Sequence, residues 1–139
     1  MNQKNSLRLN GCFLDLNDPI DLFKLWMEEA KISEPNDPNA FALATANKNA
    51  IPSVRMVLLK DFNKKGFVFY TNLESQKGNE LKDNPNASMC FHWKSLLRQI
   101  RVNGILSKVE DDVADKYYNT RSYDSRIEAF GFSFNSFPF

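Results

Sequence analysis

Basic and hydroxyl side chains recur between residues 51 and 77, where apolar runs end and a helix is predicted to begin. They are Arg55, Lys60, Tyr70, Thr71, Ser75 and Lys77. Cations, hydroxyl donors and a helix N-terminus are the groups with which proteins bind phosphate. The pattern therefore predicts an anion site, although a solvated hairpin rim would explain the same residues.

Two strands and a helix are expected to position these side chains. Apolar and β-branched runs predict strands at Ser53–Lys60 and Gly66–Thr71, and a helix follows from Glu74 to Asp83. A regular strand alternates its faces, so Arg55 and Lys60 should point to opposite sides. Both can reach one ligand only if a bulge intervenes or if one of them reaches in from the strand end.

The rest of the chain predicts a small antiparallel barrel. Asp18 and Pro19 form a helix start, and apolar residues at helical spacing continue it to about Ile32. Further strands are predicted at 41–46, 87–93 and 97–109, the last with a bulge at Gly104, and a final helix at 111–120. Long strands with few helices indicate a mainly β fold with flanking helices.

Composition excludes several classes of function. A net charge of +1 gives no electrostatic footprint for nucleic acid. One histidine and two distant cysteines, Cys12 and Cys90, predict neither a metal site nor a nucleophilic triad, and His92 is interpreted as an ordinary strand residue. The polar N-terminus and the short apolar runs predict no secretory signal and no membrane span, hence a cytoplasmic protein with reduced thiols.

The order R-M-V-L-L-K, F-Y-T-N and S-x-K-G resembles the flavin-binding core of the pyridoxamine 5'-phosphate oxidases. These are FMN enzymes of vitamin B6 metabolism that are built on an antiparallel split β-barrel and work as homodimers. The resemblance implies FMN contacts at Arg55, Met56, Val57, Leu58, Leu59, Lys60, Tyr70, Thr71, Gln76, Lys77 and Gln99. Gln76 stands where the family usually has Arg, which removes a charge-assisted contact. Gln99, in R-Q-I-R-V-N-G, would contact FMN across the dimer interface.

A second phosphate cluster is implied for the substrate. Tyr117, Arg121 and Ser125 are spaced four apart and would share one side of a continuous helix, although a polar helix face explains that spacing too. In the family, the corresponding residues hold the substrate phosphate, and Lys60 lies where FMN and that phosphate meet. The substrate implied is pyridoxamine or pyridoxine 5'-phosphate.

The last ten residues do not follow the family pattern. They contain five of the twelve phenylalanines and no charge. We divide the chain into an arm at 1–17, a split-barrel domain at 18–129 and an atypical tail at 130–139. The tail is interpreted as an early stop, a frameshift or a chain that another part completes; the alternative is a short form whose phenylalanines fill the place of missing strands.

The resemblance implies oxidation of the B6 phosphate to pyridoxal 5'-phosphate, with dioxygen as the acceptor and with no general base assigned. Two other hypotheses remain open at this point. One is an FMN- or phosphate-binding module that does not turn over, and the other is a split barrel that binds a different ligand. Neither nucleic acid nor membrane is expected as a partner.

Overall fold

The computed structural model describes residues 18–72, 83–108 and 127–136, with side chains described for 18–70 and 83–107. One helix, α1 (Pro19–Ser33), comes first. Six strands follow: β1 (Ala40–Ala46), β2 (Pro52–Asn63), β3 (Gly66–Asn72), β4 (Asn86–Trp93), β5 (Arg98–Lys108) and β6 (Ile127–Ser136). A single turn of 3₁₀-helix (Lys94–Leu96) precedes β5.

The six strands close into one barrel in the order β1-β2-β3-β6-β5-β4, and every neighbouring pair is antiparallel. The prediction of a mainly antiparallel β-barrel is therefore confirmed. The register between β5 and β6 shifts between Asn103 and Gly104, but the additional residue lies in β6 and not in β5, where the bulge was predicted. The helices predicted at 74–83 and 111–120 lie outside the described residues, except that Asp83 is helical.

Strand β6 crosses the boundary that the sequence division places after residue 129. Its backbone pairs with β3 from Ile127 to Phe132 and with β5 from Phe130 to Ser136. Residues 130–136 are thus part of the barrel rather than a separate tail. The alternating composition of this segment is typical of a strand, but only tertiary pairing identifies its two neighbours.

Helix α1 closes one end of the barrel. It begins at Asp18, whose Oδ1 accepts a hydrogen bond from the Ile20 amide at 2.9 Å. The fully buried Phe23 makes edge-on contacts with three core rings, at 4.8 Å from Phe62 and at 5.2 Å from both Phe67 and Phe91. Such arrangements are favourable for aromatic quadrupoles. A single residue of α1 therefore packs against strands β2, β3 and β4.

The corner between β4 and β5 is also attached to α1. Arg98 forms an ion pair with Glu29, and its guanidinium carbon lies 4.7 Å from the centroid of the Trp26 ring. Glu34, the residue that ends α1, accepts a hydrogen bond from the Ser95 amide at 3.2 Å. These contacts set the start of β5 relative to the helix.

We predict that Phe23→Ala lowers the free energy of unfolding by roughly 3–5 kcal/mol, because it removes a fully buried ring and leaves a cavity. Denaturant unfolding followed by circular dichroism measures the change. Ile32→Ala, on the same helix at an 87% exposed position, should stay within about 0.5 kcal/mol of the parent chain. Equal effects for the two variants would contradict the conclusion that Phe23 contributes to the core through these ring contacts.

Candidate functional site

Arg55 and Lys60 lie on opposite faces of β2. The register between β2 and β3 shifts between Leu59 and Asp61, so a bulge does occur, and it falls at Lys60 itself. Arg55 alternates in phase with the buried Val57 and Leu59, whereas Lys60 is exposed on the outside. At about 3.3 Å per residue, the two bases are roughly 16 Å apart along the strand. One ligand that touches both must be elongated.

The Arg55 guanidinium lies against β1. Its Nη1 donates hydrogen bonds to the Leu43 carbonyl at 3.1 Å and to the Thr45 hydroxyl at 2.8 Å. Strand β1 starts beside α1 and ends at Ala46, so these contacts lie toward the barrel end that α1 does not close. Arg55, a predicted FMN contact, is therefore half-buried, and its guanidinium donates hydrogen bonds to two oxygens of the neighbouring strand.

The predicted contacts within R-M-V-L-L-K separate into two groups. Met56 and Leu58 are exposed on the outer face together with Lys60, while Val57 and Leu59 belong to the core. A ligand on the outer face could meet Val57 and Leu59 only through their backbone. All of these contacts stay predictions; on the outer face, the side chains available for contact are those of Met56, Leu58 and Lys60.

Two more predicted FMN residues lie on the outside of the barrel. Tyr70 follows the buried Phe69 and is half-buried, and Gln99 is exposed at the start of β5, opposite His92. Thr71 pairs through its backbone with Glu128 in β6. The remaining site predictions lie outside the described residues: Gln76, Lys77, Tyr117, Arg121 and Ser125.

A groove that the sequence analysis missed runs along the outer face of β1. We call it the alanine groove, because its floor is the half-buried outward row of that strand. The row comprises Ala40, Ala42, Ala44 and Ala46. Two cavities of about 390 and 470 Å³ open over this floor and share Ala42 and Cys90. The signal was present in the run A-F-A-L-A-T-A, where every second residue is small.

The walls of the alanine groove differ in charge along its length. The larger cavity is lined by Glu34 and Asp37 near the end of α1, and the smaller one by Arg101 and Asn103 of β5. His92 also lines the larger cavity, as an exposed residue of β4. Among the residues that the structure describes, no cluster of three or more His, Cys, Asp or Glu side chains could hold a metal ion.

The described residues fit a flavin nucleotide. Small side chains on the groove floor leave room for a flat ring system, and exposed apolar side chains of β2 adjoin it. Gln99 offers an exposed amide, and Arg55 and Lys60 offer charges for a phosphate.

Within the described part of the chain, no helix is long and apolar enough to cross a membrane.

Cys90 is a free thiol at the centre of the alanine groove. Partial burial raises the pKa of this thiol, and the positive charge of the nearby Arg101 partly offsets that effect. The thiol therefore stays protonated to a higher pH than an ordinary cysteine, which makes it a poor nucleophile near neutrality.

The sequence matches the model of the pyridoxamine 5'-phosphate oxidase family over residues 27–135. It is 73% identical over 129 residues to a pyridoxine/pyridoxamine 5'-phosphate oxidase of Pelagibacter ubique (strain HTCC1062), a match that covers 93% of this chain and 62% of that protein. The chain spans between 58% and 62% of the length of the first curated relatives that it matches.

Solved structures show the same fold. PhzG from Burkholderia lata 383, crystallised in complex with tetrahydrophenazine-1-carboxylic acid, superposes with a TM-score of 0.79 at 20% identity, covering 96% of this chain and 81% of that one. A pyridoxamine 5'-phosphate oxidase-related, FMN-binding protein from Nostoc punctiforme PCC 73102 gives 0.74 at 14% identity, covering 87% and 82%. The predicted split-barrel fold class is confirmed.

We predict that alkylation of Cys90 has a pH midpoint above that of an ordinary thiol, measured in a Cys12→Ser background. Arg101→Gln should raise the midpoint further, because it removes the positive charge that favours the thiolate. The midpoint is the quantity compared, since steric hindrance changes the rate but not the pH at which the thiol ionises. Lys94→Gln, which removes an exposed base elsewhere, should leave it unchanged. A midpoint that falls in Arg101→Gln would contradict the stated cause.

Proposed function

The chain belongs to the pyridoxamine 5'-phosphate oxidase family, and we propose on that basis that it binds FMN and oxidises pyridoxamine or pyridoxine 5'-phosphate to pyridoxal 5'-phosphate with dioxygen. The observation that carries the proposal is the family match over residues 27–135, together with the barrel on which the described motif residues lie. Bound FMN would supply the redox chemistry by accepting a hydride from the substrate carbon that becomes the aldehyde.

The residues of this chain would bind and orient. Five of them would hold FMN through hydrogen bonds and charge: Arg55, Tyr70, Thr71, Lys77 and Gln99. Gln76 and the R-M-V-L-L-K backbone would add neutral contacts. Lys60, Tyr117, Arg121 and Ser125 would hold the substrate phosphate, where one guanidinium, one ammonium and two hydroxyls suit a dianion.

The bulge at Lys60 supports its place between cofactor and substrate. A bulge adds one residue to the strand and redirects the side chains around it, and bulges are frequent next to active sites. Lys60 is exposed on the same face as Met56 and Leu58. Its ammonium group can therefore extend over the outer surface, whereas Arg55 approaches from the barrel end.

We further propose a homodimer in which the alanine groove faces a second copy and FMN lies between the subunits. Beside the groove, Val54, Met56 and Leu58 are 68%, 67% and 41% exposed, an apolar cluster that a partner would cover. A two-fold axis places the same groove of both copies face to face and in opposite directions. The acidic end around Glu34 could then meet the partner's basic end around Arg101.

The second candidate function is an FMN-binding module without turnover. Gln76 favours it, because an amide replaces the guanidinium usual at that place and weakens the hold on the cofactor phosphate. Retained flavin with no formation of pyridoxal 5'-phosphate would support this candidate over the oxidase.

We predict that the purified protein retains a visible flavin absorption band after incubation with FMN and gel filtration. Arg55→Ala should weaken FMN binding roughly 10- to 100-fold, as expected for the loss of a hydrogen bond to a charged group. Lys48→Ala, which removes an exposed base in the β1–β2 turn, is the matched control and should bind as the parent does. If flavin is retained, a product assay then tests turnover; no retained flavin in a folded parent protein would contradict FMN binding.

We also predict that Met56→Asp converts the dimer to a monomer and weakens FMN binding, because a carboxylate would be buried at the proposed interface. Sedimentation velocity gives the oligomeric state. Ile32→Asp, at an exposed apolar position on α1, controls for a new charge and should leave the dimer intact. A parent protein that is monomeric in the presence of FMN would reject the interface.

A further inference from the structure

Thr45 is the one buried polar residue among the described side chains, at 3% exposure. The other inward residues of β1 are Phe41 and Leu43, so valine would match the surroundings and have nearly the same shape. Burial of a hydroxyl costs free energy unless a hydrogen bond compensates for it. Packing alone therefore gives no reason for a hydroxyl at this place.

The hydroxyl has a specific partner. Thr45 Oγ1 accepts a hydrogen bond from Arg55 Nη1 at 2.8 Å, and the same nitrogen donates to the Leu43 carbonyl at 3.1 Å. A guanidinium is planar. Two acceptors bound to one of its nitrogens therefore set the directions of the N–H groups on the other two nitrogens. The backbone carbonyl would remain in any variant at position 45, whereas the hydroxyl would not.

The strand register shows which way the arginine is turned. Arg55 pairs across β1–β2 with Leu43, while Thr45 pairs with Ser53. The contact between Arg55 and Thr45 is thus diagonal, and it holds the guanidinium toward the barrel end opposite α1. Without the hydroxyl, Arg55 would lose the acceptor that lies on this diagonal, and its guanidinium would no longer be directed by it.

We infer that Thr45 is a positioning residue for cofactor binding, and that it acts by orienting the Arg55 guanidinium before FMN arrives. The inference rests on the proposed function, in which Arg55 contacts FMN. A side chain held in its binding orientation loses less conformational entropy when the ligand binds, so the effect is on affinity.

The test compares Thr45→Val with Thr45→Ser by fluorescence titration with FMN. Valine keeps the shape and removes the hydroxyl, and we expect about tenfold weaker binding, a part of what a hydrogen bond to a charged group contributes. Serine keeps the hydroxyl and should bind within about twofold of the parent. Circular dichroism and thermal midpoints confirm that each variant is folded.

A second measurement separates positioning from general destabilisation. In an Arg55→Ala background, Thr45→Val should cause no further loss of FMN affinity, because the hydroxyl acts only through the arginine. Nitrogen-15 spectra of the FMN-free protein should show the Arg55 side-chain signals broadened or averaged in Thr45→Val and unchanged in Thr45→Ser.

The possible results distinguish failure of the proposed function from failure of this inference. If the parent protein binds no FMN, the proposed function and this inference both fail. If the parent binds FMN and Thr45→Val binds equally well, only the inference fails. It also fails if the valine variant weakens binding to the same extent with and without Arg55, or if it cannot fold while the serine variant does, since the hydroxyl would then serve stability alone.

Discussion

Closure of the barrel is the constraint on which the rest of this structure depends. A sheet that ends in open strands exposes unpaired N–H and C=O groups, and closure satisfies them by giving every strand two neighbours. Here β6 provides that closure by pairing with β3 on one side and β5 on the other. Once the sheet is closed, each strand has an inner and an outer face, and each side chain is assigned to the core or to the surface.

That assignment divides the candidate site residues between the two faces. Among the described side chains, aromatic rings of the interior meet at Phe23 of α1 and pack the end of the barrel next to the helix. Arg55 points inward but toward the other end, where its guanidinium is held by two oxygens of β1. Lys60 points outward from the bulge in the same strand. The two cations thus lie on different sides of one strand, an arrangement that would suit a long ligand with separate phosphate and ring regions.

The outer face gives the proposed site its shape. Alanines at every second position of β1 lower the surface there, and exposed apolar side chains of β2 rise beside it. A lone subunit leaves this face exposed to water, which is unfavourable for so many apolar groups. The same arrangement suits both a flat cofactor and a second copy, so the two proposals for this surface support each other physically. The Arg98–Glu29 ion pair supports this face, because it holds the start of β5, where Gln99 lies, against α1.

Local chemistry in the sequence was sufficient for much of the fold. The start of α1 could be predicted because Asp18 and Pro19 form a cap that depends on adjacent residues alone. Strands β1 to β5 could be predicted because alternation with period two is a local property, and the motifs within them identified the family. What the sequence could not supply was the pairing of elements far apart in the chain. The place of β6 between β3 and β5, the bulge at Lys60, and the bond between Arg55 and Thr45 all follow from register. Register is decided by long-range backbone pairing and by which face can be buried, and only the tertiary structure determines either.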